Sequence, residues 1–204
     1  NVLDPFAVID RFGSDALRYY LMRDVSFGQD GSVSAGAFEE RYERELANDY
    51  GNLASRTLAM IGRYRDGQAP DVRHDAALDE DFDELATRVA ELLDQAEVTQ
   101  ALEEIWVRVR RLNRYVEERA PWQLAKDESS AGELDVVLAS LAEGLRVLTV
   151  LLQPWLPATS ERLLAALGTP DDSLEAAQLG ARRVGAVQAI EPLFPKQPPE
   201  PAAA

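Results

Sequence analysis

The chain has 204 residues and a net charge of −15, with no cysteine and a single histidine. This composition excludes disulfides and any zinc site built from thiolates or several histidines, and the negative charge argues against a general nucleic-acid binder. No apolar run reaches the roughly 20 residues of a membrane span, and the first residues do not form a signal peptide, so we expect a cytoplasmic protein. The start at Asn1 rather than Met suggests a piece of a longer protein.

Two short helices are predicted before residue 25. Asp4 followed by Pro5 is typical of a helix start, and Gly13 is expected to end that helix. A second helix follows over residues 14–24. The glycine-containing stretch 27–31 then predicts a loop.

The first long helix is predicted from about Gly36 to Arg65, with Ser34 as a candidate cap and Gly67 and Pro70 ending it. One set of its residues recurs every three or four positions, which is the spacing of a single buried helix face. These residues are Tyr42, Leu46, Tyr50, Leu53, Thr57, Ile61 and Tyr64.

Four further helices follow, each with the same three-and-four spacing of apolar residues. They are predicted over 78–96, over 99–116, over 134–152 and up to Gly168, and the sequence Ala120-Pro121-Trp122 separates the second of them from the third. No stretch keeps a period of two for long. The pattern therefore predicts an all-α protein, an antiparallel bundle of about five main helices.

Catalytic motifs are absent from the sequence. There is no glycine-rich phosphate loop and no nucleophile elbow. His74, the single histidine, lies in an acidic connection that we expect to be exposed, so it is a poor candidate for a catalytic triad. The carboxylates are abundant but are interspersed with arginines, as on a solvated helix surface. The sequence shows no active site and no metal site.

Asn52 and Arg56 form a candidate recognition pair. They are four residues apart and so project from one face of the first long helix. An asparagine amide pairs with a base edge through one donor and one acceptor, and an arginine offers a planar fork to a base or a phosphate. The structural alternative is that both are ordinary polar residues at the end of the bundle.

Trp122 is the second candidate, because it follows a helix that carries four arginines. A tryptophan ring beside arginines can stack on an unpaired RNA base while a guanidinium contacts phosphate. The structural alternative is a tryptophan that closes the end of the core. Trp106 and Trp155 are predicted to be core residues without a ligand.

Several segments together resemble class I aminoacyl-tRNA synthetases. The stretches 1–6 and 11–21 are similar to the region directly after the KMSKS loop of that class. The segments Phe27-Gly28-Gln29-Asp30-Gly31, Asn52-Leu53-Ala54-Ser55-Arg56, Ala120-Pro121-Trp122 and Pro192-Leu193-Phe194-Pro195 resemble bacterial methionyl-tRNA synthetases specifically. The resemblance covers nearly the whole chain in the same order.

The resemblance implies a division of the chain and a set of site residues. Residues 1–36 would form a helical stem-contact segment, 37–195 the anticodon-binding bundle, and 196–204 a Pro/Ala-rich disordered tail. Asn52, Arg56 and Trp122 would contact the cytosine-adenine-uracil anticodon of methionine tRNA. Contacts to the RNA backbone would come from four more arginines, namely Arg63, Arg108, Arg111 and Arg114.

The resemblance also implies what this chain does not supply. The nucleotide-binding catalytic domain, with its HIGH and KMSKS signatures, is absent from the sequence, so the chain alone should be inactive and should bind no cofactor. ATP and magnesium would belong to the parent methionine–tRNA ligase. The expected partners are the tRNA anticodon loop and the catalytic domain of the same enzyme, in a monomer.

Two alternatives remain at this point. The same domain occurs in related class I synthetases, although Asn52, Arg56 and Trp122 together favour the methionine enzyme. The other alternative is an acidic helical scaffold that binds a protein partner, which the net charge supports. RNA binding would be sensitive to salt because counterions are released, whereas protein binding need not be.

Overall fold

The structure is a computed structural model that describes residues 3–24 and 33–196. The predicted loop at 27–31 and the predicted disorder beyond Lys196 lie outside the described residues, as do Asn1 and Val2. No helix in the described ranges is long and apolar enough to cross a membrane.

The N-terminal part contains the two predicted short helices, α1 (Pro5–Phe12) and α2 (Ser14–Asp24). The carboxylate of Asp4 accepts a hydrogen bond from the second residue of α1, and Gly13 ends α1 with a φ of 87°. A positive φ of this size favours glycine, which has no Cβ. The predicted start and end of α1 are confirmed.

The first long helix is also present, but its middle has a different geometry. It consists of α3 (Ala35–Arg41), a π-helical segment (Tyr42–Gly51) and α4 (Asn52–Arg65) in direct succession. Ser34 caps α3 through its side-chain oxygen, as predicted. The π-helical segment is unexpected. The proposed domain boundary between residues 36 and 37 falls inside α3.

The single helix predicted over 78–96 is wrong, because the chain breaks at Asp83 and Glu84. Glu84 has a left-handed backbone with a φ of 53° and interrupts the hydrogen-bond ladder. Five of the six residues from 79 to 84 are acidic, and their repulsion disfavours a continuous helix. The remaining described helical segments are 3₁₀ Ala76–Leu78, α5 (Asp79–Phe82), α6 (Leu85–Asp94), α7 (Val98–Arg119), α8 (Pro121–Leu124), 3₁₀ Glu128–Ser130, α9 (Ala131–Leu152), α10 (Pro157–Ala166) and 3₁₀ Leu174–Ala176.

Helix α9 lies at the centre of the bundle and packs against α4, α7 and α10. Its C-terminal half contacts the middle of the long helix, where the hydroxyls of Tyr50 and Thr149 are 2.9 Å apart. Its N-terminal half contacts the C-terminal end of the long helix, where Arg65 Nε donates to Asp135 Oδ1 over 2.6 Å. The two helices are therefore antiparallel. These contacts confirm the predicted all-α bundle.

A buried carboxylate joins the N-terminal helices to the bundle. Glu45, in the π-helical segment, is only 4% exposed and accepts hydrogen bonds from Tyr19, Arg23 and Arg41. Arg23 also pairs with Glu103 on α7. Burial acts to raise the pKa of Glu45, but the hydrogen bonds and positive charges of its partners outweigh it and hold the pKa below its usual range.

A second buried ion pair fixes the segment after α10. Arg146 on α9 is fully buried, and its guanidinium bonds both carboxylate oxygens of Glu143 at 3.1 and 3.0 Å. It also donates to the main-chain oxygens of Ala176 and Gln178. Four hydrogen bonds thus satisfy a charge that would be very costly to bury alone.

Candidate nucleic-acid interface

One face of α4 carries three of the predicted contact residues. At 100° per residue, the directions of Asn52, Arg56 and Arg63 around the helix differ by no more than about 40°. Asn52 and Arg63 are exposed, and the Arg56 side chain is 31% exposed. The Asn52 amide has no hydrogen-bond partner among the residues that the structure describes. Its donor and acceptor are therefore available to a ligand.

Trp122 lies beside Arg56, although the two are 66 positions apart in the sequence. Helix α7 ends at Arg119, the next residue, Ala120, has a left-handed φ of 42°, and Pro121 starts the short helix α8. This turn places the guanidinium carbon of Arg56 5.7 Å from the centre of the Trp122 ring system. Trp122 packs partly against the core and keeps the rest of its ring accessible.

Glu117 completes this cluster. Its Oε1 lies 2.8 Å from Nη2 of Arg56, and its side chain is 60% exposed. Glu117 precedes Trp122 by five residues, near the end of α7. An ion pair this exposed contributes only about 0.2–1 kcal/mol, so the Arg56 guanidinium can exchange its carboxylate for another partner at small cost. We call Asn52, Arg56, Glu117 and Trp122 the α4–α8 surface.

Arg108 and Arg111 do not point to the α4–α8 surface. Arg108 is nine residues from Glu117, which corresponds to half a turn around α7, so it projects from the opposite face. It donates to the main-chain oxygen of Asp81 over 2.7 Å and pairs with Glu104. Arg111, whose side chain is 13% exposed, pairs with the Asp81 carboxylate at 2.8 Å. Both arginines hold α7 against α5.

Arg114 and Lys126 are the exposed cations nearest in sequence to the surface. Arg114 is 66% exposed and lies 3.5 Å from the carboxylate of Glu118. Lys126 is exposed and follows Trp122 by four residues. Neither Lys126 nor Glu117 is among the contact residues predicted from the sequence. Lys126 could have been found, because it is one of only two lysines in the chain.

The other aromatic and histidine residues are structural. Trp106 and Trp155 are fully buried, which confirms their prediction as core residues. The expectation that His74 is exposed is wrong, since its side chain is only 11% exposed and its Nε2 lies 2.6 Å from Asp79 Oδ1. Across residues 3–24 and 33–196, no three His, Cys, Asp or Glu side chains form a group that could hold a metal ion.

Two family profiles match the sequence. Residues 1–58 match the class I tRNA synthetases of the methionine type, and residues 66–196 match the anticodon-binding domain of methionyl-tRNA ligase. The methionine–tRNA ligase of Bacillus subtilis is 44% identical over 208 residues, and that of Caldanaerobacter subterraneus subsp. tengcongensis is 42% identical over 203. Each alignment covers 96% of this chain. The chain spans about a third of the length of these relatives, namely 31% and 32%.

Solved structures agree with the sequence relatives. The free form of Mycobacterium tuberculosis methionyl-tRNA synthetase matches with a TM-score of 0.88 and 35% identity, over 97% of this chain and 42% of that one. The same synthetase in complex with methionyl-adenylate matches with a TM-score of 0.89 and 33% identity, over 96% and 40%. These matches do not favour the alternatives of another class I synthetase or an acidic protein-binding scaffold.

Proposed function

The chain belongs to the methionyl-tRNA ligase family and contains the anticodon-binding domain of that family, and from this premise we propose that the α4–α8 surface reads the cytosine-adenine-uracil anticodon. The observation that carries the proposal is the position of Arg56 over the accessible ring of Trp122. A stacking platform, a planar cationic donor and a free amide at Asn52 lie together on one surface.

The chemistry of an unpaired RNA loop fits these groups. A loop exposes base edges that a duplex hides, and a flipped base stacks on an aromatic ring. We propose that Trp122 stacks on an anticodon base while Asn52 and Arg56 hydrogen bond the edge of the first base. A different first base would leave a donor or acceptor without a partner, at a cost of about 1–3 kcal/mol.

Nearby cations would add affinity for RNA that does not depend on its base sequence. We propose that Arg63, Arg114 and Lys126 contact phosphates, because all three are exposed. Arg108 and Arg111 are engaged with Asp81, and we expect a smaller contribution from them. Each phosphate contact lowers the slope of log affinity against log salt by about 0.7 for a single strand, so alanine variants report these contacts directly.

The wider proposal concerns the whole protein, of which this chain covers a part. We propose that it attaches methionine to its tRNA in an ATP- and magnesium-dependent reaction, as a cytoplasmic monomer. The catalytic domain would bind ATP, magnesium and methionine and would contact the stem-contact segment proposed for residues 1–36. The described residues contain no cluster of three or more His, Cys, Asp or Glu side chains for a metal ion, and the sites for ATP and magnesium are proposed for the catalytic domain alone.

Trp122 makes the proposal testable by fluorescence. The other two tryptophans are fully buried, so an RNA ligand at the α4–α8 surface should quench chiefly Trp122. We would titrate the chain with a stem-loop carrying cytosine-adenine-uracil and with one whose first base is changed. Trp122→Phe keeps an aromatic platform and Trp122→Leu removes it.

A quenching titration that shows a preference for the cognate loop is the expected result. The anisotropy of a labelled stem-loop does not depend on Trp122, and it should show a larger loss of affinity in Trp122→Leu than in Trp122→Phe. Equal affinity for both loops would reject base reading by Asn52 and Arg56 and leave a general RNA contact. A complete lack of binding at low salt would reject RNA recognition by this chain on its own.

A further inference from the structure

The main chain that presents Asn52 is held by a shared carbonyl group. The N–H of Asn52 hydrogen bonds to the main-chain oxygens of Ala47 and Asp49. The same Asp49 oxygen accepts a second hydrogen bond from Nδ2 of Asn113, over 3.0 Å. Asn113 lies on α7 and also donates to the oxygen of Val109, over 3.2 Å. A side chain of α7 is thus one hydrogen bond away from the backbone of Asn52.

This point is the junction between the π-helical segment and α4. In the π-helical segment each N–H bonds the oxygen five residues back, and in α4 it bonds the oxygen four residues back. The hydrogen bond from the N–H of Asn52 to the oxygen of Ala47 is the last one of the π-helical type. The junction has no side-chain cap of its own. Its orientation is set by the hydrogen bonds of the continuous helix together with contacts from α7.

Two groups on α7 supply those contacts at Asp49. Asn113 holds the main-chain oxygen, and the indole Nε1 of Trp106 donates to Asp49 Oδ2 over 3.3 Å. Gly51, the residue before Asn52, tolerates no side chain, because a Cβ would lie 2.8 Å from the oxygen of Leu46. The turn before Asn52 is consequently fixed on two sides.

We propose that Asn113 is a positioning residue for base recognition, acting through the Asp49 carbonyl on the direction of Asn52. The inference rests on the proposed function of the α4–α8 surface and adds a specificity-determining residue outside it. Asn113 lies one turn before Glu117 on α7 and is half-buried, and the hydrogen bonds of its amide nitrogen go to main-chain oxygens of the protein. Its role is to hold the Asn52 amide where a cytosine edge can meet both its donor and its acceptor.

Asn113→Leu tests this role, because leucine has nearly the shape of asparagine and no donor. We expect the preference for the cognate loop over the loop with a changed first base to fall about five-fold, the value of roughly one hydrogen bond. Quenching of Trp122 should persist, since the platform is unchanged. Asn113→Ala removes the same donor without filling the space and replaces Asn113→Leu if that variant does not fold.

Thr99→Val is the matched control. Thr99 also lies on α7 and also donates one side-chain hydrogen bond to a main-chain oxygen, that of Met22 at 3.2 Å. It precedes Asn113 by 14 residues, which is about 21 Å along the helix. Thr99→Val should leave the preference between the two loops unchanged.

The decisive comparison uses Asn52→Ala as a background. If Asn113 acts through Asn52, Asn113→Leu should lower the preference in the parent chain and cause no further loss in Asn52→Ala. An unchanged preference in Asn113→Leu, or an equal loss in both backgrounds, would overturn the inference while leaving the proposed function intact. Absence of any preference in the parent chain would instead reject the proposed function.

Discussion

Glu117 holds Arg56 in the free protein, and its removal should strengthen RNA binding. In Glu117→Gln the ion pair of 2.8 Å is lost and Arg56 remains over the Trp122 ring. The pair is more than a third exposed at Glu117, so we assign it only about 0.2–1 kcal/mol. The carboxylate also repels an RNA phosphate close by, with about 1 kcal/mol at 4 Å in water.

These two effects act in the same direction and together predict tighter binding by about 1–2 kcal/mol, or roughly five- to thirty-fold. The affinity for both stem-loops should rise, because the carboxylate occupies Arg56 and repels phosphate whichever base comes first in the anticodon. The assay is the fluorescence titration at two salt concentrations. Since the repulsion is partly screened, the gain should be smaller at the higher concentration.

An acid on the other side of α7 provides the matched control. Glu104→Gln changes the net charge by the same amount, but Glu104 pairs with Arg108, which projects from the face opposite Glu117. We expect its effect on affinity to stay below about two-fold, because its charge is screened from the surface. In an Arg56→Ala background, the gain from Glu117→Gln should shrink to the repulsion alone. Equal gains in Glu117→Gln and Glu104→Gln would refute the reasoning and point to net charge.

Three further predictions concern stability. Gly144→Ala should lower the free energy of unfolding by about 1–3 kcal/mol in urea titrations, because its Cβ would lie 2.8 Å from a methyl group of Leu112. Gly132→Ala places its Cβ in open space in the same helix and should raise the free energy of unfolding by up to about 1 kcal/mol. The pKa of Glu45 is depressed in the folded protein, so the stability that this carboxylate contributes is present above the ordinary pKa of 4.5 and is lost as the pH falls through the lower folded pKa. Glu45→Gln should therefore lower the free energy of unfolding at pH 7 and flatten the acid side of its pH profile. Arg146→Met should cost about 3–5 kcal/mol, because it leaves a buried carboxylate without its partner.

Each of these three predictions has an outcome that would contradict it. Equal effects of the two glycine substitutions would show that the α7–α9 contact relaxes freely. An unchanged acid profile in Glu45→Gln would mean that the carboxylate contributes no pH-dependent stability. A neutral Arg146→Met would contradict the cost assigned to leaving the buried Glu143 carboxylate without its partner.

Local signals in the sequence were sufficient for most of the helices and for both ends of α1. The spacing of Tyr42, Leu46 and Tyr50 predicts a buried face, and all three side chains are buried. The same spacing does not distinguish an α-helix from a π-helix, because a step of four residues suits both. The break at Glu84 was missed for a related reason, since the apolar spacing continues across it.

The site was predictable only in part, because its geometry depends on contacts between distant helices. The spacing of Asn52 and Arg56 places them on one face, and this holds in the structure. The ion pair of Arg56 with Glu117 joins residues 61 positions apart, and no local pattern indicates it. The arginines of α7 were treated as one group, although helical geometry alone places Arg108 half a turn from Glu117.

The net charge of −15 is compatible with RNA binding because of where the acids lie. Seven of the 36 acids belong to the stretch 71–84, and Asp81 within it packs on the face of α7 opposite Glu117. A helix with its side chains is about 10–12 Å wide, and the Debye length at physiological salt is about 8 Å. Acids across α7 are therefore largely screened from a phosphate at Trp122. Glu117 lies on the α4–α8 surface itself and is not screened in this way. We therefore expect Glu117, rather than the total charge of the chain, to set the electrostatic cost of RNA binding.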